Sequence, residues 1–196
     1  MQNYTVYHLH TELSLLDSCT NFKLYVDRAK ELGQTAICFT EHGNCYNWIE
    51  KKEYCEEQGI KYLHGVEAYL TKELYEYPEV PDEWYEAHLG CDEKETQEEL
   101  SKFLEENKKK VRDNYHTVLI AKNYNGVKEI NTLLDKSTQE DHFYYKNRIT
   151  FDEFKNVSDN VIKISACLAS PLNKLRDESL IPYYDYLEVQ PHINSE

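Results

Sequence analysis

Two histidines one residue apart, His8 and His10, follow the β-branched and aromatic run Tyr4-Thr5-Val6-Tyr7. That run reads as a short strand. In an extended chain residues i and i+2 share a face, so both imidazoles point the same way while Leu9 turns towards apolar packing. Two neutral imidazoles on one face can chelate a single metal ion. Asp17, just past Leu15-Leu16, is close enough in the chain to fold back as a carboxylate ligand. Taken alone, the spacing also fits two surface histidines flanking a buried leucine.

Other metal-binding side chains track the apolar runs. Thr35–Thr40 leads into Glu41-His42-Gly43, and Tyr62–Tyr69 carries Glu67 among apolar neighbours. His116 opens Thr117–Ala121, and Val161–Ser165 leads into Cys167. A sixth strand over Tyr184–Val189 carries Glu188, which takes no site role in this reading. Imidazole and thiolate suit zinc, and carboxylates widen the choice to manganese or iron. Cys167 by itself reads equally well as a small buried hydrophobe.

These strands need helices between them. Asn21–Leu32 shows a 3.6-residue apolar period with Asn21 as cap and Gly33 as stop, and Trp48–Gln58 ends at Gly59. Two strand–helix–strand units argue for parallel neighbours in an α/β barrel or open sheet. Asn125–Leu134, Pro171–Asp177 and a short helix at Phe151 capped by Thr150 complete the helices. Phe143–Thr150 reads as a loop. Its Arg148 has a planar fork suited to a substrate phosphate, or is a plain surface arginine.

Between Glu73 and Glu106, thirteen acids face two lysines. We read 73–112 as an inserted acidic segment with a helix over Thr96–Arg112, its Lys108-Lys109-Lys110 suiting the helix dipole. The whole chain has 196 residues, enough for one domain with a sizeable core. Its net charge of −14 works against a phosphate backbone, so duplex DNA binding by the chain alone should be weak or nil. Six scattered cysteines form no CxxC pair, and no apolar run is long enough for a membrane span. With no secretory signal, a reducing cytoplasm is the expected compartment.

HLHTELSLLDS, FTEHGN, HGVEAY, HTVLIAKNYNG, FYYKNRITFDEF, SACLAS and YLEVQ, in that order, resemble the PHP (polymerase and histidinol phosphatase) domain. The likeness is closest to the branch at the N-terminus of the bacterial DNA polymerase III alpha subunit. It implies a distorted TIM-like barrel of α/β class whose strand ends hold up to three divalent ions (zinc, manganese or iron). It assigns metal roles to His8, His10, Asp17, His42, Glu67, His116 and Cys167. Glu67 would bridge two ions, and His42 would sit at a more peripheral one. Catalysis would rest on His8, His10, Glu67 and His116, by metal-activated hydroxide attack on a phosphoester such as a DNA 3′ end. Some members show 3′–5′ exonuclease activity. The other reading is an inactive module, its metal site structural, that docks to polymerase or replisome subunits. The family's late Asp-x-His pair has no match after Glu188, and His192 takes no family role. The barrel should therefore be incomplete at its C-terminal end, as in a piece of a longer polymerase or a shortened relative.

Overall fold

The structure is a computed structural model that describes residues 4–190, so His192 lies outside the described residues. Its centre is β2 (Lys61–Thr71), buried on both faces from His64 onwards. Along the edge away from β5, β1 (Ala36–Phe39) and then β6 (Arg148–Thr150) pair with β2 in parallel. On its other edge β2 pairs antiparallel with β5 (Tyr115–Ala121), which pairs antiparallel with β7 (Val161–Ile164). The sheet is therefore mixed. The βα units predict only the β1–β2 step, because β5 reaches β2 after the long acidic excursion and is free to run the other way.

Alternation sorts the side chains of β2. Val66, Ala68 and Leu70 join Leu119, Ile130, Ile149 and Phe154 in a core under α5 (Tyr124–Ser137) and α6 (Phe151–Lys155). Ile37 and Phe39 of β1 pack outward on α1 (Phe22–Glu31) and α2 (Trp48–Gln58). On the inner face, Cys38, Val118, Ile120 and Ile164 form an apolar floor. Glu67 and Tyr69 follow Gly65 on that inner face of β2, and His116 lies opposite Tyr69. One end of the inner face is thus apolar and the other polar.

Neither terminal strand forms as expected. Tyr4–Tyr7 makes a single bridge, Val6 to Ile37. Cys38 N–H donates to the Val6 carbonyl and Thr40 N–H to the Leu9 carbonyl, both at 2.9 Å. Three residues on the first segment thus span two on the second, a bulge-like irregularity that breaks the regular alternation. Tyr184–Val189 is also irregular and bridges β7 only at Ile164–Tyr186, after a 3-10 helix at Glu178–Tyr183. Between these two segments no backbone pairing is found among the described residues, and the sheet stays open.

The acidic stretch folds as β3 (Tyr75–Glu76), α3 (Asp82–Ala87), α4 (Glu93–Asn107) and β4 (Lys109–Lys110). Asp92 caps α4, so that helix starts and stops earlier than Thr96–Arg112; Lys109 and Lys110 pair with β3 instead of extending it. The last α-helix, α7, covers Pro171–Leu175. No helix among the described residues is long and apolar enough to cross a membrane.

Candidate metal centre

The polar end of the inner face opens into a cavity of about 550 Å³. His8, His10, Asp17, His42, Glu67, His116 and Cys167 all line it. Glu67 is fully buried at its centre. Its Oε1 lies 2.9 Å from His116 Nδ1 and 3.3 Å from His8 Nε2. Its Oε2 lies 2.9 Å from His42 Nδ1 and 3.2 Å from His10 Nε2. Cys167 Sγ is 3.6 Å from both Oε1 and His116 Nδ1. His42 turns its other nitrogen to Asp17, 3.2 Å away. It therefore stands between the two carboxylates.

Burial pushes the Glu67 carboxyl up, but the four imidazoles outweigh it and hold the group far below the usual carboxylate range. The fit of a cation can be judged from the contacts themselves. His42 Nδ1 and Glu67 Oε2 are buried and make no hydrogen bond, although they face each other at 2.9 Å. Orphaned lone pairs in an imidazole–carboxylate–thiol set suit a divalent ion. Among the described residues, three overlapping groups are close enough to share one: His8–His10–Glu67, His10–Asp17–His42 and His42–Glu67–His116.

A buried relay holds the first two loops. Glu41 accepts from Thr11 N–H at 3.0 Å, from the hydroxyls of Thr11 and Ser14, and from Lys51 at 2.7 Å. Both Glu41 and Lys51 are almost fully buried. Having given its proton to Glu41, Ser14 Oγ can accept from His10 Nδ1–H at 3.0 Å and from His42 N–H at 3.1 Å. That leaves the lone pair of His10 Nε2 facing the cavity. Gly43 follows His42 at φ +64°, where a Cβ would strike the Asn147 side chain at 2.5 Å. Only glycine brings the loop this close.

Arg148 is not at the site. It lies in β6, fully buried. Its guanidinium donates to the carbonyls of His142 (3.1 Å), Val111 and Asp113 (3.3 Å). Its Nη2 finds no partner among the described residues but is buried with the rest of the side chain, so no face is exposed to a phosphate. Its fork instead ties β6 to the return from the acidic segment.

A model of the PHP domain matches residues 7–192. The chain belongs to the PHP family. This PHP chain is 31% identical over 170 residues to the DNA polymerase III subunit alpha of Helicobacter pylori strain 26695, covering 87% of the chain and 12% of that relative. With the same subunit from Borreliella burgdorferi it shares 29% identity, covering 86% of the chain and again 12% of the relative. The PHP chain thus spans a small part of its polymerase relatives. In fold it resembles a crystal structure of a candidate metal-dependent phosphoesterase from Bifidobacterium adolescentis, with a TM-score of 0.54 and 13% identity. That likeness covers 94% of this chain and 76% of the other.

Sequence reasoning gives no site role to Glu188, Glu41, Ser14 or Lys51. In the PHP fold Glu188 reaches the cavity, its Oε2 2.8 Å from His8 Nδ1. The pair spans the gap between the two terminal segments, a contact across 180 residues that local pattern cannot foresee. The carboxylate inside Tyr-Leu-Glu-Val-Gln and the one beside His42 were the available signals.

Burial alone would lower the His8 pKa, but Glu188 and Glu67 raise it to about 9. Its ordinary value is 6.5, so the stability it contributes in the metal-free protein is complete below that pH and lost as pH rises through about 9. The loss should be on the order of 3 kcal/mol. Urea midpoints of chelator-treated protein should fall between about pH 6 and pH 9, and the fall should shrink in Glu188→Gln. A slope unchanged by that substitution would count against the ion pair.

Proposed function

We propose that this domain binds divalent metal ions, up to three, through His8, His10, Asp17, His42, Glu67, His116 and Cys167, and hydrolyses phosphoesters there. The observation that carries the reading is the pairing of four imidazoles, two on each oxygen, around one buried carboxylate. A bound divalent ion would supply Lewis-acid polarisation of a phosphoryl oxygen and a nucleophile from water at neutral pH. The chain's own residues prepare for it. Glu188 and Ser14 fix the rings of His8 and His10, Glu67 sets negative charge at the common centre, and Asp17 stands at the half-open mouth.

By analogy with its polymerase relatives, the substrate is a phosphoester at a nucleic-acid end, cleaved in the 3′–5′ sense. The remainder of a replicative polymerase is the natural partner, in the cytoplasm, with 73–112 as an insertion in the domain. The net charge of −14 argues against independent grip on duplex DNA. A second reading has its own support: ions here would brace terminal segments that, among the described residues, meet only through side chains such as His8–Glu188.

The two readings separate by experiment. Protein loaded with zinc or manganese should hydrolyse a chromogenic phosphate or a single-stranded oligonucleotide, and chelator should abolish the activity. Full metal stoichiometry with no turnover of either substrate would sink the hydrolase reading and leave the structural one.

A further inference from the structure

We propose that the turn Tyr144–Lys146, with Arg112, is a docking platform for the end of a single strand of nucleic acid leading to the metal cavity. This rests on the phosphoester reading of that cavity.

Tyr145 sits at the tip of a tight turn closed by Tyr144 N–H donating to the Lys146 carbonyl at 3.0 Å. Its φ is +58°, a conformation that bulky L-residues avoid, yet the residue is 66% exposed. A core contact therefore does not explain the strain, and strain of this kind concentrates at functional sites. The Arg112 guanidinium lies 4.8 Å from the Tyr145 ring centroid. Tyr144 meets the Tyr145 ring edge-on at 4.7 Å, and because the residue is still two-thirds exposed the open part of the ring offers a base a stacking surface. Lys146 extends its ammonium over the Tyr69 ring at 5.0 Å.

The turn is coupled to the metal cavity. Tyr69 lies nearly parallel to the His42 ring at 5.8 Å and edge-on to His116 at 5.1 Å. With Lys146 5.0 Å above Tyr69 and Tyr69 5.8 Å from His42, the ammonium lies within about 11 Å of the His42 ring. Asn147 donates to the Gly43 carbonyl at 2.7 Å, tying the turn to the residue after His42. Lys110 holds the other side of the turn through the Phe143 carbonyl at 3.1 Å.

Charge completes the argument. In a chain of net charge −14, Arg112 and Lys146 take part in no salt bridge among the described residues. Arg112 on the exposed Tyr145 ring and Lys146 over the Tyr69 ring set two cations beside aromatic faces, complementary to a base and its flanking phosphates. A small phosphate monoester has no use for the ring.

The test is fluorescence anisotropy of the metal-loaded chain with a labelled phosphorothioate oligothymidylate of about eight nucleotides, within the usual single-strand site size. Tyr145→Gly should raise Kd at least fivefold, about 1 kcal/mol for one stacked base. Its melting temperature should hold or rise, because glycine accepts the positive φ. Tyr145→Trp should keep the affinity, and Arg112→Gln with Lys146→Gln should flatten the salt dependence. Wild-type protein that binds no oligonucleotide, or a folded Tyr145→Gly that binds as well as wild type, would overturn the platform. Binding is read without turnover, while hydrolysis of a small chromogenic phosphate by wild type tests the hydrolase reading separately.

Discussion

Glu67→Gln should empty two divalent-metal positions together and cost the chain most of its bound metal, while His42→Ala should keep a larger part. Glu67 is the only carboxylate that belongs to two of the three overlapping ligand groups. Its two oxygens serve His8 with His116 and His10 with His42. An amide offers one weaker oxygen and turns an NH₂ group towards two imidazoles, so both groups fail together. His42 also sits in two groups, but Asp17 and His10 remain beside one, and His116 with Glu67 beside the other.

Each ion contributes to stability by mass action, about 2.7 kcal/mol where free metal is a hundredfold above Kd. The metal-loaded Glu67→Gln variant should therefore melt well below loaded wild type and below His42→Ala, and the chelated proteins should lie much closer together. Elemental analysis and melting curves with and without chelator read both effects. Equal residual metal in the two variants would remove Glu67 from its central place.

Glu41→Gln should produce the second large effect, and at a residue that touches no proposed ion. It orphans Lys51, which is buried and bonded to Glu41 at 2.7 Å. Breaking a buried pair from one side costs about 3–5 kcal/mol. An amide also cannot receive the four donors that converge on Glu41, since half of it is itself a donor. Ser14 then loses its acceptor, and with it the arrangement that orients His10 and the His42 backbone. Second-layer losses of this kind weaken metal binding about 10- to 100-fold.

The double variant Glu41→Gln, Lys51→Met separates the two consequences. Stability should largely return, because no uncompensated charge stays buried. Metal affinity should remain low, because Ser14 is still without its carboxylate. Urea midpoints and metal titrations measure the two separately. Recovery of both together would reduce Glu41 to a stabilising residue with no influence on the site.

Much of this architecture can be read along the chain, and the reasons are local. Helix α2 begins at Trp48 and ends before Gly59, because glycine takes the left-handed conformation that stops it. Asn21 caps α1 and Thr150 caps α6 through hydrogen bonds within three residues. His42, Glu67, His116 and Cys167 can be proposed as a set because each sits on or beside a β-rich run, and period-two alternation says which neighbours share its face.

Arg148 shows where such reading stops. Its residue type suits a phosphate and a loop equally well, and only the packed chain shows it buried against carbonyls from residues 111, 113 and 142. The terminal segments teach the same lesson. Tyr4–Tyr7 and Tyr184–Val189 have strand-like composition, but a strand exists only if a partner pairs in register. The bulge beside β1 and the single bridge to β7 deny them that. The sequence by itself determined which residues are chemically able to hold a metal and which short elements carry them. Tertiary structure alone decided the orientation of β5, the Glu188–His8 contact, and the Lys51–Glu41–Ser14 relay that aims His10. These depend on contacts between residues 10 to 180 positions apart, whose geometry is set by packing and leaves no periodic trace in the chain.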